Sequence, residues 1–155
     1  MPDITEGLQA PAFDMATADG DRVSLDGLKG RKVVLYFYPK ADTPGCTSEA
    51  RDFSEHIDAF AAAGTTVIGV SRDPVKKLDR FKTKYDLKVV LASDEPEAVT
   101  EAWGVWVEKK LYGREYMGIE RATFLIDGAG IVRRVWRKVS VKGHAAEVLA
   151  AVQSI

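Results

Sequence analysis

Residues 32–49 read KVVLYFYPKADTPGCTSE, an apolar run followed by a turn-rich segment that contains a cysteine. The run from Lys32 to Tyr38 is continuous, β-branched and aromatic, which is typical of a strand buried on both faces. Pro39 ends this strand. Beyond it, an apolar stripe with helical spacing predicts a helix from Pro44 to Ala63, closed by Gly64. The stretch therefore predicts a buried strand that leads through a short loop into a helix.

Working outward, buried strands alternate with amphipathic helices along the rest of the chain. A turn at 18–21 joins two short strands and predicts an N-terminal β-hairpin. Further strands are expected at 65–70, near 89–91, at 123–126 and at 131–139, and further helices from Asp73-Pro74, around 94–103 and at 143–152. No element type is assigned to residues 105–120. This order predicts an α/β fold, a thioredoxin-like mixed sheet flanked by helices.

Composition indicates a globular protein with a sizeable core. Among the 155 residues, 46% are hydrophobic and 29% are charged, and we expect one domain over 1–155. The net charge of −1 argues against nucleic-acid or membrane-surface binding. No apolar stretch approaches the roughly 20 residues that cross a bilayer. The N-terminal segment shows no secretory signal, so a cytoplasmic location is expected.

Cys46 is the chain's one cysteine, which excludes an intrachain disulfide. With only two histidines, a Cys/His zinc site is not expected, and no metal or other cofactor is predicted. If Thr43 is the N-cap and Pro44 the first helical residue, Cys46 lies in the first turn. Free N–H groups and the helix dipole would there stabilise a thiolate. The alternative is that Cys46 is simply a small apolar member of the core stripe.

The spacing Pro39-x-x-x-Thr43-x-x-Cys46 resembles the active-site motif of the peroxiredoxins. The flanking residues 37–50 resemble more closely the bacterioferritin-comigratory-protein branch, also called PrxQ. The same is true of residues 103–119, which read WGVWVEKKLYGREYMGI, and of RATFLID at 121–127. The resemblance covers nearly the whole chain.

This resemblance implies that Cys46 attacks a peroxide and becomes a sulfenic acid. Arg121, at the head of a central strand, would bring a permanent cation to the sulfur and polarise the leaving oxygen. The Thr43 hydroxyl would exchange hydrogen bonds with the peroxide, a role that competes with capping the helix. The attack is an in-line displacement, which requires an ionised nucleophile and an oriented O–O bond.

Three further residues receive roles from the same resemblance. Pro39 would shield the sulfur from water, and the backbone N–H of Gly45 would stabilise the developing oxyanion. Glu49 would orient an arginine, or would be an ordinary acid in the first helical turn.

The chain departs from many members of this branch at Arg51, where a resolving cysteine often stands. Recycling must then use an external thiol: glutathione with a glutaredoxin, thioredoxin, or a second Cys46 in a transient dimer. We therefore expect a monomer or a weak homodimer. The rival functions are a peroxide-sensing thiol switch that binds a partner protein, and a non-catalytic thioredoxin-like module.

The histidines and a basic cluster receive structural interpretations. His56 is ten residues along the predicted helix from Cys46, roughly 15 Å, and is expected at the surface. His144 begins the last helix, but a Cys–His hydrolase is disfavoured. The basic cluster predicts a solvated outer strand; it comprises Arg133, Arg134, Arg137, Lys138 and Lys142.

Overall fold

A computed structural model describes residues 3–155, so the first two residues of the N-terminal segment lie outside the described residues. The strands are β1 (Asp14–Thr17), β2 (Arg22–Ser24), β3 (Lys32–Phe37), β4 (Thr65–Ser71), β5 (Val90–Ser93), β6 (Trp106–Leu111), β7 (Arg114–Ile119), β8 (Ala122–Ile126) and β9 (Val132–Trp136). The α-helices are α1 (Pro44–Glu55), α2 (Ile57–Ala62), α3 (Val75–Tyr85), α4 (Ala98–Ala102) and α5 (His144–Gln153). A single 3₁₀ turn covers Asp26–Leu28.

Seven strands form one mixed sheet in the order β2-β1-β5-β4-β3-β8-β9. Strand β3 runs parallel to β4 and antiparallel to β8, and β1 pairs with β2 as an antiparallel hairpin. The expected thioredoxin-like mixed sheet with an N-terminal hairpin is therefore confirmed.

Side chains of β3 alternate between two apolar cores, one on each face of the sheet. Val34 and Tyr36 belong to the core covered by α1, α2, α3 and α5. Leu35 and Phe37 belong to the core that contains α4 and the N-terminal segment. All four side chains are fully buried, which confirms that β3 is covered on both faces.

The helix predicted over 44–63 is in fact two helices that meet at His56. The N–H of His56 donates to the carbonyl of Phe53 at 3.1 Å, a tightened last turn that ends α1. The rings of Phe53 and Phe60, one on each side of the break, lie at a centroid distance of 6.0 Å. Both rings belong to the apolar core beneath α1 and α2.

The sequence predicts no helix or strand for residues 105–120. In the structure they contain a separate two-stranded hairpin of β6 and β7. Its turn is formed by Tyr112 and Gly113, which both have positive φ, at 52° and 78°. Two such residues match the twist of a tight hairpin. The hairpin is held to the body partly by Arg72, whose guanidinium lies 3.5 Å over the ring of Trp106.

Within residues 3–155, no helix has both the length and the apolar character required to span a membrane.

Candidate active site

Cys46 lies in the first turn of α1, at the carboxyl end of β3. Thr43 is the N-cap residue, with extended φ and ψ of −101° and 156°, and Pro44 begins the helix. This is the register that the sequence predicts. The Cys46 side chain is 1% exposed and also belongs to the core beneath α1. Cys46 can therefore be both an apolar member of the core and a cysteine placed at a helix start.

Arg121 connects Cys46 to Glu49. Its Nη2 lies 3.4 Å from the sulfur of Cys46, and its Nη1 donates to Oε1 of Glu49 at 2.7 Å. Arg121 immediately precedes β8, where Ala122 is paired with Phe37 of β3. Since β3 leads into the loop before α1, the β3–β8 pairing brings the arginine to the start of the helix.

Gly45 allows this approach because it has no side chain. A Cβ at Gly45 would lie 3.2 Å from Nη2 of Arg121. The guanidinium therefore lies directly over the helix backbone, next to the first-turn N–H groups.

Glu49 is the buried acid of the site, at 1% exposure. Burial raises the pKa of Glu49 to about 7, although Arg121 acts in the opposite direction. Its Oε1 accepts the bond from Arg121, while Oε2 has no hydrogen-bond partner within residues 3–155. One carboxylate oxygen thus holds the arginine and the other is left unpaired.

The Thr43 hydroxyl does not cap α1. It donates instead to the carbonyl of Lys40 at 2.8 Å, which tightens the loop between β3 and α1. The expected competition between capping and peroxide binding is therefore absent, and the oxygen lone pairs stay available to accept a hydrogen bond. Pro39 is half-buried and directly follows Tyr38 at the carboxyl end of β3.

Two aspartates that the sequence analysis did not single out anchor the loop before α1. Asp73 accepts the N–H of Ala41 at 2.8 Å. Asp42, with a φ of 61°, accepts bonds from Lys84 at 3.0 Å and from the hydroxyl of Tyr85 at 2.7 Å. Asp42 follows Ala41 in a turn-rich loop. Because aspartate tolerates positive φ, this position in the sequence was the available signal that Asp42 shapes the loop.

One member of the basic cluster, Arg137, is bonded to its neighbours rather than only facing solvent. Arg137 donates from Nε to Glu120 at 2.7 Å and from Nη2 to the carbonyl of Gly104 at 3.0 Å. The carbonyl of Arg121 accepts the N–H of Val139 at 2.9 Å. The prediction of a purely solvated strand is wrong for Arg137, because Glu120 gives it a partly buried partner.

Neither histidine is hydrogen-bonded to Cys46 in the described part of the chain. His144 is buried, and its Nε2 lies 2.8 Å from the hydroxyl of Thr123. Burial lowers the pKa of His144. His56 is half-buried at the break between α1 and α2. Across residues 3–155, no group of three His, Cys, Asp or Glu side chains is arranged to hold a metal ion.

The geometry defines a class of protein: a thiol enzyme on a thioredoxin-like sheet, with a buried cysteine at a helix start and an arginine beside it. Comparison with known proteins gives the family. The model of the AhpC/TSA family matches residues 7–135. A putative peroxiredoxin Bcp of Coxiella burnetii is 51% identical over 146 residues, covering 94% of this chain and 97% of the relative. Peroxiredoxin Bcp of Bacillus subtilis is 46% identical over 152 residues, covering 98% and 97%.

Solved structures agree with this assignment. The bacterioferritin comigratory protein of Xanthomonas campestris, studied for its alkyl peroxide reduction activity, has a TM-score of 0.87 at 43% identity, covering 92% of this chain and 90% of that one. A PrxQ mutant of Xylella fastidiosa has a TM-score of 0.94 at 34% identity, covering 99% and 98%.

The chain belongs to the AhpC/TSA family, as a peroxiredoxin of the Bcp/PrxQ type. It is a thiol-dependent peroxidase, with a peroxide as substrate and a thiol as reductant.

Proposed function

We propose that Cys46 is the residue that attacks the peroxide. Its thiolate attacks the terminal oxygen of the peroxide and the O–O bond breaks, so this oxygen is transferred to sulfur and the other leaves as alkoxide or hydroxide. The leaving oxygen takes up a proton to give an alcohol or water. The sulfur is oxidised to a sulfenic acid and the peroxide is reduced.

The observation that carries this proposal is the position of Arg121. Its Nη2 lies 3.4 Å from the Cys46 sulfur, so a permanent cation stabilises the thiolate in a buried site. The same guanidinium and the N–H groups of Gly45 and Cys46 stabilise the oxyanion that develops as the O–O bond breaks. Thr43 orients the peroxide through its oxygen, Pro39 shields the sulfur, and Glu49 orients Arg121.

We propose that the sulfenic acid is recycled by an external thiol. The chain has one cysteine, so it contains no second thiol with which Cys46 can form a disulfide. The reductant is thioredoxin, or glutathione with a glutaredoxin, acting on a cytoplasmic monomer or weak homodimer. The substrates include organic hydroperoxides besides hydrogen peroxide, in keeping with the alkyl peroxide activity of the Xanthomonas relative.

The test is steady-state peroxide turnover with a thiol reductant, in the wild type and in Cys46→Ser. We expect turnover in the wild type and none in the variant, because serine does not ionise near neutral pH. Ser48→Ala, at an exposed position on the same helix, is the matched control and should keep its activity. Turnover by Cys46→Ser would refute the proposal. A single round of oxidation without turnover would instead indicate a sensor, and no reaction would indicate a non-catalytic module.

A further inference from the structure

Glu120 is the residue immediately before Arg121, and its carboxylate is bonded to the segment that follows β9. Arg137 donates to it with two nitrogens: Nε lies 2.7 Å from Oε2, and Nη2 lies 3.2 Å from Oε1. The backbone N–H of Lys138 donates to Oε2 at 3.1 Å. Burial acts to raise the pKa of Glu120, but the bonds from Arg137 and Lys138 outweigh it and hold this pKa below its usual value. The carboxylate is therefore ionised at neutral pH, and the ion pair with Arg137 is two-pronged.

Arg137 also reaches a third segment, the residues that precede β6. Its Nη2 donates to the carbonyl of Gly104 at 3.0 Å. The backbone N–H of Glu120 donates to the carbonyl of the next residue, Val105, at 2.7 Å. Both members of the ion pair are partly buried, with 32% of the Arg137 side chain and 14% of the Glu120 side chain exposed. Glu120 is thus bonded through its side chain to one segment and through its backbone to another, and Arg137 joins the two.

The backbone of Arg121 is held next to these bonds. Its carbonyl accepts the N–H of Val139 at 2.9 Å, from the same segment that carries Arg137. The Arg121 side chain, by contrast, is long and rotatable, and its guanidinium contacts Glu49 and the Cys46 sulfur. A small rotation of the backbone moves the end of such a side chain by a larger distance. The 3.4 Å between Nη2 and the sulfur therefore depends on where the backbone of Arg121 is held.

We propose that Arg137 is a positioning residue for the peroxide reaction, because through Glu120 it holds the backbone from which Arg121 reaches the sulfur. This inference rests on the proposed function, in which the Arg121 guanidinium stabilises the Cys46 thiolate and the developing oxyanion. Arg137 acts on neither directly, since its own bonds go to Glu120 and to a backbone carbonyl. Glu49 holds the guanidinium end of Arg121. The Glu120–Arg137 pair holds the backbone end.

Arg133, another arginine of the basic cluster, offers a comparison within the same pair of strands. Its Nη1 forms an ion pair with Asp127 at 3.3 Å. Asp127 directly follows the last residue of β8, whereas Glu120 stands two residues before the first. The two ion pairs therefore lie at opposite ends of β8, and the pair of Arg137 is the one next to Arg121. Removing the Arg133 side chain takes the same charge from the cluster and leaves the support of Arg121 in place.

The experiment compares Arg137→Gln with the matched control Arg133→Gln, each made in the wild type and in Arg121→Ala. Each protein is mixed rapidly with hydrogen peroxide and quenched, and mass spectrometry measures the fraction of Cys46 that has become sulfenic acid. The second-order rate constant of oxidation follows from the time course. Denaturant unfolding of the same samples measures their stability. A double-mutant cycle of this kind shows whether Arg137 acts through Arg121, which a loss of stability alone would not show.

We expect Arg137→Gln to slow oxidation of Cys46 about tenfold, because small displacements of a positioned group carry large rate penalties. In Arg121→Ala the same change should have little further effect, since the guanidinium that it positions is absent. Arg137→Lys keeps the charge but loses the two-pronged bond, so its rate should lie between those of the wild type and of Arg137→Gln. Arg133→Gln should leave the rate unchanged in both backgrounds.

A tenfold loss that persists in Arg121→Ala would overturn the inference, and so would an equal loss in Arg133→Gln or a wild-type rate in Arg137→Gln. If Arg137→Gln does not fold, Glu120→Gln takes its place in the cycle, because it weakens the same ion pair with a smaller change. A wild type that forms no sulfenic acid, or a wild-type rate in Arg121→Ala, would defeat the proposed function as well. A slow Arg121→Ala beside an unaffected Arg137→Gln defeats the inference alone.

Discussion

Gly45 and Arg121 are packed so closely that a methyl group on Gly45 would lie 3.2 Å from Nη2 of the guanidinium. Arg121 cannot withdraw freely, because Nη1 is bonded to the buried Glu49 at 2.7 Å. The position of the cation beside Cys46 therefore depends on the absence of a side chain one residue earlier.

The first prediction follows from this contact. Gly45→Ala should slow oxidation of Cys46 by peroxide about tenfold, because small displacements of a positioned group carry large rate penalties. Its stability should fall only slightly, because the better helix propensity of alanine partly offsets the strain at the Arg121–Glu49 pair. Rapid-mixing kinetics and denaturant unfolding of the same sample measure the two effects. An alanine variant with the wild-type rate would show that Arg121 adjusts without consequence.

The second prediction concerns the cation itself. Arg121→Ala should reduce the rate of peroxide oxidation on the order of 100-fold, the loss typical of removing one oxyanion donor. Rapid-mixing kinetics with hydrogen peroxide measure this rate. Arg121→Lys keeps the charge but loses the two-pronged geometry. Its rate of oxidation should therefore lie between those of the wild type and of Arg121→Ala. A wild-type rate of oxidation in Arg121→Ala would remove the arginine from the site.

The third prediction uses the titration of Glu49. Burial raises the pKa of Glu49 from 4.5 to about 7 in the folded protein. Between these values the folded state binds a proton that the unfolded state has released. The free energy of unfolding should therefore decrease as pH rises through this window.

Denaturant unfolding at several pH values measures this contribution. Glu49→Gln should flatten the pH dependence, because the glutamine amide does not titrate. Glu55→Gln, at an exposed position near the end of α1, is the control and should keep the wild-type slope. An unchanged slope in Glu49→Gln would assign the pH dependence to other groups.

The fourth prediction is that α1 stays folded through the catalytic cycle. Cys46 is buried and Arg51 is exposed on the same helix. In an intact helix, Cα atoms five residues apart are about 8.7 Å apart, beyond the roughly 7 Å that a disulfide tolerates. Arg51→Cys should therefore form a disulfide with Cys46 only by unwinding the helix.

Hydrogen exchange over residues 44–54 tests this directly, in the reduced and sulfenic states. Amides of the wild type should keep their protection on oxidation, whereas those of Arg51→Cys should lose it. Loss of protection in the oxidised wild type would mean that the helix unfolds even without a resolving thiol.

The sequence predicts most of the main sheet and the start of α1 because local signals agree there. The apolar run of β3 and the succession Thr43, Pro44 each have one strong structural meaning. The break at His56 has no such signal, since the helical stripe continues through it. Phe53 and Phe60 pack together across the break, a tertiary contact that the stripe does not specify.

The candidate site is predicted only in part, because some of its residues lie in a local motif and others meet only through tertiary structure. Cys46 and Thr43 are predicted as site residues from one short motif, Pro39-x-x-x-Thr43-x-x-Cys46. The contacts of Arg121 with Glu49 and Gly45 depend on the pairing of β3 with β8, which local patterns do not encode. The hairpin of β6 and β7 is harder still to predict, because its sequence lacks the alternation typical of a strand with one buried face.

The pairing of β3 with β8 also has a consequence for the newly made protein. Arg121 follows Cys46 by 75 residues, and synthesis proceeds at about 5–20 residues per second, so the arginine is added roughly 4 to 15 seconds after the cysteine. During that interval, and until β8 has inserted beside β3, the nascent thiol has no guanidinium beside it. On the proposed mechanism, the cysteine of an incomplete chain therefore lacks the cation that activates it. Under the same proposal, its rapid reaction with peroxide begins only after β8 has inserted beside β3.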